Sequence, residues 1–280
     1  MSDQSVEIQL LKEEIVRLKD QLSKNDRERI EYLQNVAHQL VAPLNAIKWH
    51  IENLTQARIG VDRGKKVLRS VYSQATQAVH LAKNFALMSN LEGDHALTAM
   101  REPLQPVNLC QLMVNLADDF QPQGWDKEIH VSVDNDPLQS APDVLIMKPL
   151  VTQVFSNIIE NAIKYSVKNS RVDIQGSYDK GTDEVVVSIH NRGIPLREED
   201  TLRIFERGYR TQEARDQYPA GTGFGLYIAK KIIELHRGSL TARSHSAGSV
   251  FTVRLPVRAL AGKARHLGPK DRFARACSHY

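Results

Sequence analysis

Cysteine is scarce: the 280 residues carry two, Cys110 and Cys277. Two thiols cannot build a disulfide framework, and such usage fits a reducing compartment. Long apolar runs are absent too. A helix crossing a bilayer needs about 18 or more consecutive apolar residues, so no membrane span is expected. The opening stretch MSDQSVEIQLLKEEIVRLKD is charged throughout, which excludes a secretory signal. The expected location is cytoplasmic. A phosphate loop of the form GxxxxGK[ST] is missing, and so is the strand-first glycine triplet of a dinucleotide fold. Basic charge is confined rather than general. The chain has a net charge of +4, whereas residues 257–280 alone, with six Lys/Arg and one Asp, carry +5. The remainder sits near neutrality, so nucleic acid is not an expected partner. The tail itself, residues 258–280, is Ala/Gly/Arg-rich with few large apolar residues and is expected to be disordered.

What is present begins with helical periodicity. Ile8, Leu11, Ile15, Leu18 and Leu22 recur at alternating steps of three and four, a short coiled-coil seam over residues 1–27. The seam stutters at Asp26 and resumes as Leu33, Ala37, Leu40, Leu44, Ile47, Ile51 and Leu54. A helix is predicted over 27–55, a break at RIGVDRG, and a second helix over 65–91 with Leu68, Val71, Ala75, Ala78, Ala82 and Phe85 as its stripe. Residues 28–93 thus form a helical hairpin. Its two apolar stripes exceed what one hairpin covers, so a homodimeric four-helix bundle is expected. A linker follows over 94–106. From 107 to 257 the pattern alternates: helices are predicted at 109–120, 148–165, 198–205 and 225–235, and strands at 129–133, 171–178, 184–190 and 249–255. The fold class is α+β, a coiled coil leading into a hairpin and then an α/β sandwich.

Three stretches carry chemistry. In QVFSNIIENAIKYS, Gln153, Asn157, Asn161 and Lys164 lie at i, i+4, i+8 and i+11, one face of a helix. Amide oxygens suit Mg²⁺ and an ammonium suits phosphate, although the same stripe also fits a plain solvated face. In GTGFGLYIAKKIIELHRG, Gly221, Gly223 and Gly225 precede an apolar helix, where backbone N–H groups can cradle an anion. In NVAHQLVAPLNAIKWHIENL, His38 stands beside the seam residue Ala37, so it projects from the flank of the bundle. Pro43 follows in the same helix, where it removes a hydrogen bond and favours a bend near the histidine.

Together these stretches resemble the catalytic core of bacterial two-component sensor histidine kinases. His38 with Pro43 resembles the H box and QVFSNIIENAIKYS the N box. IHNRGIP resembles a shortened G1 box, RIFERGYR the F box, and GTGFGLYIAKKIIELHRG the G2 box. The order holds from about residue 28 to 257. The resemblance implies an ATP-dependent protein-histidine kinase with a GHKL-type ATP-binding domain over 107–257. His38 would accept the γ-phosphoryl group of ATP through Nε2 and pass it to an aspartate of a response-regulator receiver domain. Asn161 would ligate Mg²⁺. Asn157, Lys164 and Tyr165 would line the nucleotide pocket, and Asn191 and Gly193 would meet the adenine. Phe205 and the stretch to Tyr218 would anchor a lid, and Gly221, Gly223 and Gly225 would wrap the phosphates. With about 27 residues before the hairpin, input is expected through the coil, the tail or an upstream sensor protein.

Three positions depart from the family pattern. Gln39 replaces the acid that usually follows the histidine; it accepts a hydrogen bond but carries no charge, which predicts slower autophosphorylation. Ala42 replaces the Thr or Asn four residues after the histidine and cannot orient a water, which predicts weak phosphatase activity. Asn191 replaces the G1-box aspartate. These changes leave an alternative, a pseudokinase acting as a partner-binding scaffold. A third reading, an ATP-hydrolysing clamp, needs a glutamate where Asn157 stands; Glu160 adjoins Asn161 and is expected to point elsewhere.

Overall fold

A computed structural model describes residues 3–56, 61–92, 103–125, 127–218, 221–245 and 248–257. The tail, most of the linker and residues 57–60 lie outside the described residues, and residues 61–64 of the expected break are helical. The first element, α1 (Asp3–Gln56), is a single helix of 54 residues. Neither Gly nor Pro occurs between Asp3 and Ala42, so the seam stutter at Asp26 changes which face is apolar without breaking the backbone. The helix also runs on through Pro43, which is buried. A second helix, α2 (Val61–Glu92), packs on α1. Ser70 of α2 meets His50 of α1 at 2.9 Å, while Gln77 and Leu81 sit opposite His38. Later residues of α2 thus face earlier ones of α1, and the pair is antiparallel.

The second half is built on a five-stranded sheet, order β2-β4-β5-β7-β6, with β2 parallel to β4 and the rest antiparallel. Its strands are β2 (His130–Asp134), β4 (Arg171–Asp179), β5 (Glu184–Arg192), β6 (Ser239–His245) and β7 (Gly248–Pro256). A two-stranded ribbon pairs β1 (Gln105–Val107) with β3 (Val144–Ile146). Helices α3 (Leu109–Trp125), α5 (Lys148–Tyr165) and α8 (Gly225–Leu235) pack with the sheet, and α4 (Asn135–Gln139) is a short connector. The period-two alternation of β5 puts Val185, Val187 and Ile189 into the core, and that of β7 adds Phe251, Val253 and Leu255. Facing them, α5 contributes Val151, Val154, Phe155, Ile158, Ile159 and Ala162. Pro149 in the first turn of α5 forfeits no helical hydrogen bond there.

Five short elements lie outside the predicted set: β1, β3, β6, the connector α4 and a helical turn over 212–217. Three-residue strands β1 and β3 are too brief to show alternation. In β6 only Leu240 and Ala242 face inward, with polar residues between. The helix predicted over 198–205 is a single turn, α6 (Asp200–Arg203). It is closed by the Ile204 and Tyr209 bonds to Asp200 and leads to Gly208, whose φ of +70° ends helical geometry. One further turn, α7 (Gln212–Gln217), is capped by Thr211, whose side chain accepts from the Ala214 N–H.

Candidate nucleotide site and the facing histidine

The polar stripe of α5 is not solvated. Asn157 is 2% exposed and Gln153 3%. Two neighbours cover them. Asn157 donates its amide N–H to the Gly225 carbonyl at 2.9 Å, fixing α5 to the first turn of α8. On the other side Asn84 of α2 donates to Asn157 Oδ1 at 2.7 Å, and Gln153 donates to Asn84 Oδ1 at 3.0 Å. A cleft opens between α5, the end of β5, the Gly221–Gly225 run and the segment from Tyr209 to Ala214. Asn157, Asn161, Lys164, Tyr165, Asn191, Gly221, Gly223 and Gly225 all line it, as does Gln39 from the hairpin.

Close approach of the backbone demands a glycine at Gly223, while Gly225 leaves room in ordinary contact with Asn157. Gly223 has φ +73°, and a Cβ there would fall 2.7 Å from the backbone of Gly208. At Gly225 a Cβ would contact Asn157 Oδ1 at 3.4 Å. No side chain caps the N-terminus of α8, so its first-turn N–H groups are available to an anion. Cations gather at the same end. Lys164 lies beside Arg210 and Lys127; burial, together with those two cations, holds its ammonium below the ordinary lysine value against the pull of Glu160. Arg210 donates to the Gly221 carbonyl at 3.0 Å and to the carbonyls of Ala214 and Tyr218. The Tyr218 hydroxyl in turn donates to the Lys164 carbonyl at 2.6 Å. This folds the 209–218 segment over the cleft and ties its far end to the C-terminus of α5.

Gly193 and Phe205 do not line the cleft. Gly193 supports its wall from behind: a Cβ there would lie 1.9 Å from the Tyr165 carbonyl oxygen. The half-buried Phe205 ring sits under the Lys230 ammonium, 5.6 Å from the ring centre. Asn161 is half-buried and none of the hydrogen bonds among the described residues engages its amide. Its oxygen therefore fits one position of a magnesium ion, whose other positions would come from phosphate and water. No cluster of three His, Cys, Asp or Glu able to hold a metal is found among the described residues.

His38 is exposed on α1 and lines a second cavity, about 610 Å³, between hairpin and sheet domain. Lys164, Tyr218, Gly221 and Lys127 line that same cavity. The histidine and the cationic end of the cleft therefore face one space. Gln39 borders both cavities, and its Nε2 is buried with no partner.

Glu160 corrects an expectation. It does not point away: it borders both cavities, and its carboxylate lies 2.6 Å from Nδ1 of His80. Burial pushes Glu160 upward, but the charge and hydrogen bonding of His80, with Lys164, outweigh it and leave the carboxyl below its usual value. His80 is 4% exposed and packs edge-on to Phe120. Asn84, Lys127 and Ser249 lie outside every motif of the sequence, and Arg210 stands in RIFERGYR without a role of its own. The signal present for Asn84 was its i, i+4 spacing from His80.

Residues 148–259 match the family described as histidine kinase-, DNA gyrase B-, and HSP90-like ATPase. The sensor histidine kinase WalK of Bacillus subtilis (strain 168) is 30% identical over 242 residues, which is 84% of this chain and 38% of WalK. The histidine protein kinase SaeS of Staphylococcus epidermidis is 29% identical over 252 residues, 86% of this chain and 67% of SaeS. The chain is similar to the sensor histidine kinases. Its residues 148–259 form an ATP-binding domain of the GHKL type. The chain spans 38% of the length of WalK and 67% of that of SaeS. The solved structure of full-length ShkA in complex with AMPPNP shares its fold, with a TM-score of 0.52 and 20% identity over 81% of this chain and 45% of that one. No helix among the described residues is long and apolar enough to cross a membrane.

Proposed function

We propose that the chain is a dimeric ATP-dependent protein-histidine kinase that phosphorylates its own His38 and hands the phosphoryl group to an aspartate of a response-regulator receiver domain. The observation that carries this reading is the shared cavity: His38 faces the same space as Lys164, Tyr218 and Gly221. Nε2 of His38 would attack the γ-phosphorus, forming a P–N bond as the bond to the departing ADP oxygen breaks. Lys164, the α8 N-terminus and the Gly221–Gly225 backbone would hold the phosphates, and Asn161 would hold Mg²⁺. When bound, that ion neutralises charge on the β- and γ-oxygens. Phosphoryl transfer asks mainly for positioning and charge neutralisation, which this inventory supplies. The hydrolytic clamp reading has less support, because both ends of the Asn157 amide are committed, to Gly225 and to Asn84. The scaffold reading has less support too, because the residues suited to ATP·Mg²⁺ share one cleft.

The test is incubation with γ-labelled ATP and Mg²⁺ beside His38→Ala. Acid-labile label on the parent and none on the variant is expected. Label that survives acid, or persists in the variant, would refute the assignment of His38.

A further inference from the structure

Two inward rows of side chains end together at the cleft. Along β5 the buried row runs Val185, Val187, Ile189 and then Asn191; along β7 it runs Leu255, Val253, Phe251 and then Ser249. Asn191 and Ser249 are directly paired across the two strands. Both are nearly buried, 7% and 6% exposed, and both line the cleft. The Ser249 hydroxyl donates to Asn191 Oδ1 at 2.6 Å. Nδ2 of Asn191 is buried with no partner. A buried donor left unpaired is costly, so this one is set to meet an acceptor on whatever fills the cleft.

The lining of the cleft carries both polarities. Lys164, Arg210 and the glycine run suit phosphates, whereas Ile194, Leu196, Ile204 and Phe251, on the same lining as the Asn191–Ser249 pair, suit a flat apolar base. Such a base would turn its polar edge toward Asn191. An aspartate at that position would only accept, and would select a base with an amino group there. The pair present here has two isosteric states. With Oδ1 held by the serine hydroxyl, the amide NH₂ faces the base and suits a 6-oxo group. With the amide turned by 180°, Nδ2 donates to Ser249 Oγ, and Oδ1 faces the base and suits a 6-amino group. The serine bond is kept in both, because a hydroxyl donates or accepts by rotating.

We infer that the nucleotide site takes 6-oxopurine as well as 6-aminopurine nucleoside triphosphates, with the Asn191–Ser249 pair as the switchable selector. This rests on the nucleotide-site reading above and names its substrate class. The experiment is equilibrium binding to the full chain, with Mg²⁺, of ATP and of inosine triphosphate, which carries the 6-oxo group without the 2-amino group of guanine. Dissociation constants within about tenfold of each other are expected, whereas a site with a fixed acceptor rejects the wrong edge by on the order of 10²-fold or more. Asn191→Asp should create that rejection, strengthening ATP relative to inosine triphosphate. ATP binding with inosine triphosphate more than 100-fold weaker would overturn the inference and leave the kinase reading intact. Failure of both to bind would overturn the nucleotide site itself.

Discussion

His236 shows how a single buried group sets a pH limit. It is 2% exposed, its Nδ1–H donates to the Ile232 carbonyl at 2.7 Å, and its Nε2 accepts from the Met147 N–H at 3.0 Å. That pattern needs the neutral ring. Burial accordingly pushes its pKa below the ordinary imidazole value, partly opposed by the Ile232 bond. The unfolded chain then binds a proton that the folded one refuses. The stability this group contributes is complete above about pH 6.5 and is lost as pH falls below it. Denaturation midpoints should drop between pH 7.5 and 5.5, and His236→Gln, which keeps both bonds without titrating, should flatten the drop. Equal pH slopes for parent and variant would contradict this. Gln39 carries a second prediction at this scale. No hydrogen bond joins it to His38, and its buried Nε2 is unpaired. A carboxylate there would stabilise imidazolium as the phosphoryl group arrives. Gln39→Glu should therefore raise the rate of His38 labelling several-fold, read as single-turnover kinetics.

Between elements, the notable junction is α2 against α3 and α5. Tyr72 donates to Asp119 at 3.0 Å, Arg69 stacks on Trp125 at 4.8 Å, His80 meets Glu160, and Asn84 bridges Asn157 and Gln153. This seam holds the hairpin where His38 faces the cleft. Removing one side of a buried polar contact leaves the other without its partner. His80→Ala should therefore slow His38 labelling by about tenfold, some 1.4 kcal/mol of positioning, while ATP affinity stays as it was. Hydrogen exchange in α5 should rise in parallel; an unchanged labelling rate would count against the seam. The seam also marks where the sequence stopped being legible. The glycine run, the N-box helix and the α+β class follow from periodicity and composition, because an apolar stripe or a glycine triplet is a local pattern. That the amide stripe of α5 is buried under another helix is not local. Asn84 and Gln153 read as solvent-facing until a partner 69 residues away in sequence is placed on them. Ser249 likewise acquires meaning only through its cross-strand partner Asn191.

For the molecule as a whole, the question is what covers the hairpin. Leu44 is 55% exposed, Ile51 47%, Leu68 59% and Val79 53%, and the α1 extension adds Leu11, Ile15 and Leu18. Such a run of apolar side chains along two packed helices marks an association surface. A second copy is the natural cover, since a two-fold pairing of antiparallel hairpins makes a four-helix bundle that buries both stripes at once. Each buried Leu or Ile side chain is worth about 1.5–3 kcal/mol, so a handful per protomer sustains a stable dimer. Sedimentation equilibrium of the parent should give a dimer. Leu44→Lys with Ile51→Lys should shift it to monomer, because two ammonium groups per protomer would have to be buried. Neither Leu44 nor Ile51 lines the nucleotide cleft, so ATP binding should survive this change. A double variant that stays dimeric would move the association to the α1 extension, where Leu11→Lys with Leu18→Lys is the matching test. A monomeric parent would remove the bundle altogether.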